Sequence, residues 1–209
     1  MIMLKEKVQV IQETEPIVLD FQGIVDLEDD DKLFDFCIQN REIRIERTME
    51  GEIILMLPVG GEGSSREGIL TAYFVNWNKD KKLGKVFSPT GGFILPSGAM
   101  RSPDVSFIKM DRWKAIPLLK RKKFLPICPD FVVELRSESD HLNKLKEKMT
   151  EWMANGCRLA WLIDPLEEKA YIYIPNKEIE EISSFNEKLS GEDVLPGFEL
   201  DLSELREEE

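Results

Sequence analysis

Two carboxylates and a lysine in the middle of the chain have the types and the spacing for metal-assisted phosphodiester chemistry. Asp104 follows Pro103 at the start of the apolar run Val105 to Lys109, and Glu134 sits inside a second run, Phe131-Val132-Val133-Glu134-Leu135. Lys148 lies on the helical stretch that follows. Acidic oxygens suit Mg²⁺, and a neighbouring cation suits the attacked phosphate. Glu134 is the sharper of the two acids. Apolar neighbours on both sides predict burial, and a buried carboxylate is costly unless it is paired, protonated or on a metal. Its structural alternative is an ion pair with Arg136 or Arg101. Asp104 taken alone reads as a turn former at the start of a strand.

Arg136 is two residues beyond Glu134, so on a strand the two share a face. A guanidinium there can hold a phosphate but stays protonated and cannot serve as a base. Lys148 falls at the border of an apolar helical face, where it either snorkels to solvent or reaches the strand carboxylates. Glu46 alternates with Ile43 and Ile45 and shares a face with Arg44, which reads as a solvated strand glutamate. Gly60 to Ser65 precedes a helix but lacks both GxxxxGK[ST] and GxGxxG, so it reads as a strand-to-helix connection rather than a phosphate loop. His141, the one histidine, reads as a helix-start residue after an N-cap at Ser139 or Asp140. Trp77, Trp113, Trp152 and Trp161 read as core or interface residues.

The elements that must position these groups follow from periodicity. Leu27 to Asn40 fits a helix whose acidic start suits the dipole. Residues 42–47 alternate with period two, Glu52 to Pro58 is a second strand, and Met49-Glu50-Gly51 between them makes a hairpin. Ser65 to Leu83 shows helical spacing at Ile69, Leu70, Tyr73, Phe74 and Trp77. Short strands are expected around 85–87, 92–95 and 105–109, followed by a helix over Asp111 to Lys123 broken at Pro117, with a basic loop. Phe131 to Leu135 is the best candidate for a central strand. Leu142, Leu145, Met149, Trp152 and Met153 mark one helical face, stopped by Asn155-Gly156. Leu159 to Ile163, Ala170 to Ile174, Ile179 to Ile182 and Phe198 to Leu200 complete the strands. Interleaved strands and helices imply an α/β domain with a mixed sheet. Residues 1–24 read as an N-terminal arm, 25–203 as one domain and 204–209 as an acidic, fraying tail.

Composition narrows the classes. The 209 residues, 42% hydrophobic and 33% charged, suit one soluble globular domain. No apolar run approaches the roughly 18 residues of a membrane span, and no signal-peptide pattern opens the chain. Cys37, Cys128 and Cys157 are scattered without a CxxC pair, and read as buried thiols of a reducing cytoplasm. A single histidine leaves little room for a histidine-based triad or metal site. The net charge of −12 argues against nucleic acid, since phosphate neutralisation needs a basic surface. The charge is uneven, however: Asp26 to Asp31 and Glu204 to Glu209 are acidic, whereas Lys79 to Lys82 and Lys120 to Lys123 are basic runs.

Taken in order, the stretches Ile45-Glu46-Arg47…Gly51-Glu52-Ile53, Ser102-Pro103-Asp104-Val105, Val133-Glu134-Leu135-Arg136-Ser137, Lys148…Trp152…Gly156 and Trp161-Leu162-Ile163-Asp164-Pro165 resemble the Uma-two family. These are endonucleases of the restriction-endonuclease-like, PD-(D/E)XK superfamily, and the likeness covers roughly residues 25–200. The resemblance implies a mixed central β-sheet flanked by α-helices, with an N-terminal helix and hairpin. It implies Mg²⁺, with Mn²⁺ as a substitute, held by Asp104, Glu134 and the carbonyl of Leu135. Asp104 matches the PD aspartate and Glu134 the (D/E) position. Arg136 stands where the superfamily has its lysine, and Lys148 on the next helix takes the migrated lysine's place. Glu46 matches an acidic residue on the first strand. DNA as substrate and a homodimer that meets both strands of a duplex are the implied partners. The alternative is a catalytically degenerate member used for binding or assembly.

Overall fold

The computed structural model describes residues 17–19 (as backbone), 29–40, 43–56 and 58–206. In chain order the elements are Ile17–Leu19 (β1), Asp30–Gln39 (α1), Arg44–Arg47 (β2), Ile53–Met56 (β3), Gly61–Lys81 (α2), Gly84–Phe87 (β4), Phe93–Ile94 (β5), Met100–Arg101 (β6) and Val105–Lys109 (β7). They continue with Met110–Ala115 (α3), Phe131–Leu135 (β8), Leu142–Ala154 (α4), Leu159–Asp164 (β9), Lys169–Tyr173 (β10), Glu180–Ile182 (β11), Lys188–Ser190 (β12) and Glu199–Asp201 (β13). The expected mixed α/β architecture is present.

The main sheet has the order β11-β10-β9-β8-β7-β4. It is mixed: β8 and β9 run parallel across the α4 crossover, and the other neighbours are antiparallel. All five residues of β8 are buried, because helices cover both faces of the strand. Phe131, Val133 and Leu135 face the core that holds Leu70 and Phe74 of α2. Val132 faces the opposite core with Met149 and Trp152 of α4. A strand covered on both faces reads as a nearly continuous apolar run, and the one acid in this run is therefore the exception to explain. A second sheet, β1-β3-β2-β6-β5, carries the expected hairpin. Gly51 turns it with φ 89°, a left-handed conformation that glycine adopts without strain.

Several boundaries differ from the sequence-based expectation, each for a local reason. Helix α1 starts at Asp30 because the Asp29 carboxylate caps the N–H groups of Asp31 and Lys32; residues 27–28 lie outside the described residues. Helix α2 starts at Gly61 rather than Ser65, so Gly61 and Gly63 are helical. Asn78 stops α2 by accepting from the N–H groups of Leu83 and Gly84. His141, not Ser139 or Asp140, holds the N-cap position of α4 and caps nothing with its side chain. Asp140 instead accepts from the N–H and hydroxyl of Ser137. Asn155-Gly156 ends α4 as expected, with Gly156 at φ 98°.

Of the expected arm, residues 17–19 pair with β3, and the rest of 1–24 lies outside the described residues. The tail does not fray where it is described. Leu205 is buried, its carbonyl accepts from Arg66 Nε, and Arg206 clips onto Glu168. Cys37, Cys128 and Cys157 are free thiols. Among the described residues no helix is long and apolar enough to cross a membrane.

Phe74 binds these layers together. Its ring lies 5.1 Å from Phe131, 6.0 Å from Trp161 and 4.3 Å from Phe198, joining α2 to the main sheet and to the C-terminal segment. Phe74→Ala is expected to lower the free energy of unfolding by about 3–5 kcal/mol, read from the urea midpoint at unchanged slope.

Candidate active site

Strands β7 and β8 pair with Val105 opposite Val133. The next residues along, Asp104 and Glu134, therefore lie at adjoining ends of the two strands. Both are buried, 8% and 3% exposed. The Leu135 N–H donates to Asp104 Oδ2 at 2.8 Å, and the Asp104 N–H donates to the Val133 carbonyl. Glu134 lies on the α4 side of the sheet. There the Trp152 indole N–H donates to its Oε1 at 2.9 Å and Lys148 Nζ donates to Oε2 at 3.0 Å. Lys148 and Trp152, four residues apart, sit one helical turn from each other and meet one carboxylate.

Glu46 enters from the second sheet. It is not the solvated glutamate expected from alternation, being only 2% exposed. Both of its oxygens are used. Oε1 accepts from Lys148 Nζ at 3.0 Å and from the Ser102 N–H at 2.9 Å, and Oε2 accepts from Arg101 Nη1 at 3.1 Å. Arg101 also grips Glu151 of α4 through Nε and Nη2. On the same face of β2, Arg44 Nη2 donates to the Ser102 carbonyl and lies 3.6 Å from Asp104 Oδ1, while Nη1 is 3.7 Å from Glu67 of α2. Arg44 and Glu46 thus hold the backbone of Ser102 between them and aim the turn that carries Asp104. A groove of 520 Å³ along the outer side of α2, lined by Ser64, Gly68, Thr71 and Val75 among others, reaches this charge network at Glu67.

Of the residues singled out from sequence, Glu46, Asp104, Glu134 and Lys148 come together. Arg136 does not join them. Its Nη1 donates to Asp164 Oδ2 at 2.8 Å and its Nε to the Asp140 carbonyl. Asp164 is wholly buried and takes the nearest guanidinium as counter-charge. The alternative of an ion pair between Glu134 and Arg136 or Arg101 is not what forms; Lys148 reaches Glu134 from the helix instead. Sequence reasoning missed Trp152 as a partner of Glu134, and missed Glu67 and Glu151; it named Arg101 for Glu134 rather than for Glu46, and Arg44 only as a neighbour of Glu46 on one strand face. The spacing of Trp152 from Lys148 was the available signal; the other contacts join residues distant in sequence.

The profile of the Uma2 family, described as "Putative restriction endonuclease", matches residues 30–203. Among solved structures, the chain is similar to a "putative nuclease belonging to DUF820" from Anabaena variabilis ATCC 29413, with 19% identity and a TM-score of 0.66. That likeness covers 77% of this chain and 88% of the other, and it shows a shared fold. No curated protein matches the sequence.

The electrostatics of the three acids diverge. Burial disfavours the charge of Glu46, but Lys148, Arg101 and the Ser102 N–H outweigh it and hold its pKa below the usual range. Burial pushes Asp104 up to about 6, with Leu135 N–H and Lys148 only partly offsetting it. Burial pushes Glu134 up to about 7, and the nearby charges of Asp104 and Glu46 add to the rise against Lys148. Burial also opposes the charge of Lys148, yet Glu134 and Glu46 prevail and hold the ammonium above the usual lysine value. A folded carboxylate with a raised pKa keeps its proton where the unfolded chain has lost it, so stability falls as pH rises between the two values. For Asp104 that window runs from 3.8 to about 6. In metal-free buffer, the stability of Asp104→Asn relative to wild type is therefore expected to increase across this window, by up to about 3 kcal/mol. Paired urea titrations at stepped pH measure it; a constant difference would remove burial as the cause.

Proposed function

The chain belongs to the Uma2 family of restriction-endonuclease-like proteins, and from that premise we propose a Mg²⁺-dependent endonuclease that hydrolyses DNA phosphodiester bonds, with Mn²⁺ as a substitute ion. One observation carries this reading. Among the described residues, the connected network, part-buried at Arg44, Glu67 and Glu151 and buried elsewhere, holds five carboxylates (Glu46, Glu67, Asp104, Glu134 and Glu151) against three cations, Arg44, Arg101 and Lys148. The deficit of two positive charges falls most heavily on Asp104 and Glu134, the deeply buried acids that desolvation pushes up, with part-buried Glu67 raised as well. A divalent cation matches it.

The donor set also fits. Mg²⁺ is held through one or two carboxylates and keeps several waters. Among the described residues, no group of three or more Asp, Glu, His or Cys side chains forms a metal cage. Asp104 and Glu134 would then act with the Leu135 carbonyl, which shares a strand edge with the N–H bonded to Asp104. When bound, the ion supplies an activated water and neutralises charge on the attacked phosphate.

The chain's own residues do the rest. Lys148, kept protonated by two carboxylates, is a fixed cation for the developing charge and not a general base. Trp152 fixes the orientation of Glu134. Glu46, with both oxygens engaged, positions Lys148 and the Ser102 turn. Arg44 is the cation nearest Asp104 and, shared with Glu67, could be drawn onto a bound phosphate. Arg136, tied to Asp164, serves the fold.

A second reading, a binding or assembly module without turnover, draws on the closure of Glu134 by Lys148 and Trp152. Mn²⁺ calorimetry separates the two. Wild type is expected to bind Mn²⁺ and to nick DNA with it, whereas Asp104→Asn and Glu134→Gln lose both and keep a cooperative thermal transition. Metal-dependent cleavage retained by either variant would refute the assignment, and the absence of Mn²⁺ binding by wild type would favour the second reading.

A further inference from the structure

Residues 109–123 hold seven lysines and arginines against the single acid Asp111, in a chain with 28 basic and 40 acidic residues overall. At the tip of this stretch, Leu118 and Leu119 are 72% and 79% exposed, the barest large apolar side chains among the described residues. The loop is held in place. Arg121 donates from Nε to the Ile116 carbonyl and from Nη2 to the Lys114 carbonyl, and its guanidinium stacks 4.8 Å from the Trp113 ring. The N–H groups of Lys120 and Arg121 both return to the Pro117 carbonyl. Arg112 and Lys123 are paired with Asp130 and Asp31. Lys114, Lys120 and Lys122 point to solvent beside the leucines.

The loop follows α3, which leaves β7 at the end opposite Asp104, and its own far end returns to the second sheet. Leu125 pairs with Phe93, its N–H bonding to the Gly92 carbonyl and its own carbonyl accepting from Ile94. The chain after the basic run thereby extends the second sheet past β5. Glu46 lies on β2 of that sheet and Arg101 on β6, next to β5. At about 4.8 Å per strand, Leu125 is about 10 Å from the strand that carries Arg101. A polyanion long enough to span from the candidate active site across β6 and β5 would reach this edge.

We propose that the Lys114–Lys122 loop is a nucleic-acid exosite. Its lysines neutralise backbone phosphates flanking the cleavage position, and Leu118 and Leu119 pack against sugar and base faces. The braced turn sets two bared leucines among its lysines, so one surface offers apolar and cationic contacts together. The inference rests on the nuclease reading, and it explains how an acidic protein would hold DNA.

The test is fluorescence anisotropy of a labelled DNA duplex with the full chain in Ca²⁺ at stepped KCl, alongside Mn²⁺ calorimetry. Lys120→Gln/Lys122→Gln is expected to weaken binding about tenfold and to reduce the slope of log affinity against log salt by about 2. Leu118→Ser/Leu119→Ser is expected to weaken binding without changing that slope, and both variants should keep wild-type Mn²⁺ binding. Equal affinity and slope in wild type and both variants would overturn the exosite and leave the nuclease reading standing. So would loss of binding to phosphatidylserine vesicles in the variants with DNA binding unchanged, which would reassign the loop to a membrane surface. If wild type binds no DNA, the exosite falls, and Mn²⁺ calorimetry still decides the metal site separately.

Discussion

The contact on which the arrangement depends is Lys148 Nζ, 3.0 Å from Glu46 of the second sheet and 3.0 Å from Glu134 of the main sheet. One ammonium on α4 ties three separate elements at a point from which water is largely excluded. Such an ion bridge adds little net stability over an apolar core of the same shape. Removing one member, however, leaves a bare buried charge and costs about 3–5 kcal/mol. Its value lies in specification: a shift of β2 against α4 and the end of β8 would leave Glu46 buried without its lysine.

Around that bridge the charges are distributed unequally, and the inequality separates the acids. Glu46 receives Lys148, Arg101 and a backbone N–H, so it is ionised and fully engaged. Asp104 has one N–H and a guanidinium at 3.6 Å, beyond hydrogen-bonding distance. Glu134 shares its lysine. The same desolvation therefore has opposite net results, lowering Glu46 and raising the other two. Two carboxylates with unmet charge are a cost in an otherwise apolar core. That core offsets it with aromatic packing of Phe74, Phe131, Trp161 and Phe198 on the other face of the same strands.

Where a sequence signal is local, it was legible. Strands 105–109 and 131–135 and the helix from Leu142 could be read nearly to the residue, because apolar runs and the Asn155-Gly156 stop are properties of neighbouring residues. The β6 strand, two residues long, and β12 carry too few residues for any period to register. Glu46 misled because alternation reports only that two faces differ. The burial of its face comes from Lys148, 102 positions away in the chain. Arg136 misled for a related reason. Strand parity puts it on the face of Glu134, but a long side chain chooses its partner by charge, and the wholly buried Asp164 on the next strand was closer in need. The adjacency of Asp104 and Glu134 was foreseen only through resemblance; their facing register is a fact of pairing that neither stretch contains.

The net charge of −12 was the strongest sequence argument against nucleic acid, and the fold shows why a total is the wrong quantity. At physiological ionic strength the field of an exposed charge decays over about 8 Å, so what a ligand meets is the local arrangement. Much of the acid near the site is already committed, Glu46 and Glu151 to Arg101 and Asp164 to Arg136, and at the other end of β8 Asp130 is committed to Arg112. Acidic Asp31 is likewise drawn onto Lys123, away from solvent-facing Lys122. What is left uncompensated is of two kinds, a buried deficit of positive charge at Asp104 and Glu134 and a surface excess at the braced loop. On the proposed function the first would take a small cation and the second a polyanion, and their separation on one framework would let each be satisfied without the other's charge cancelling it.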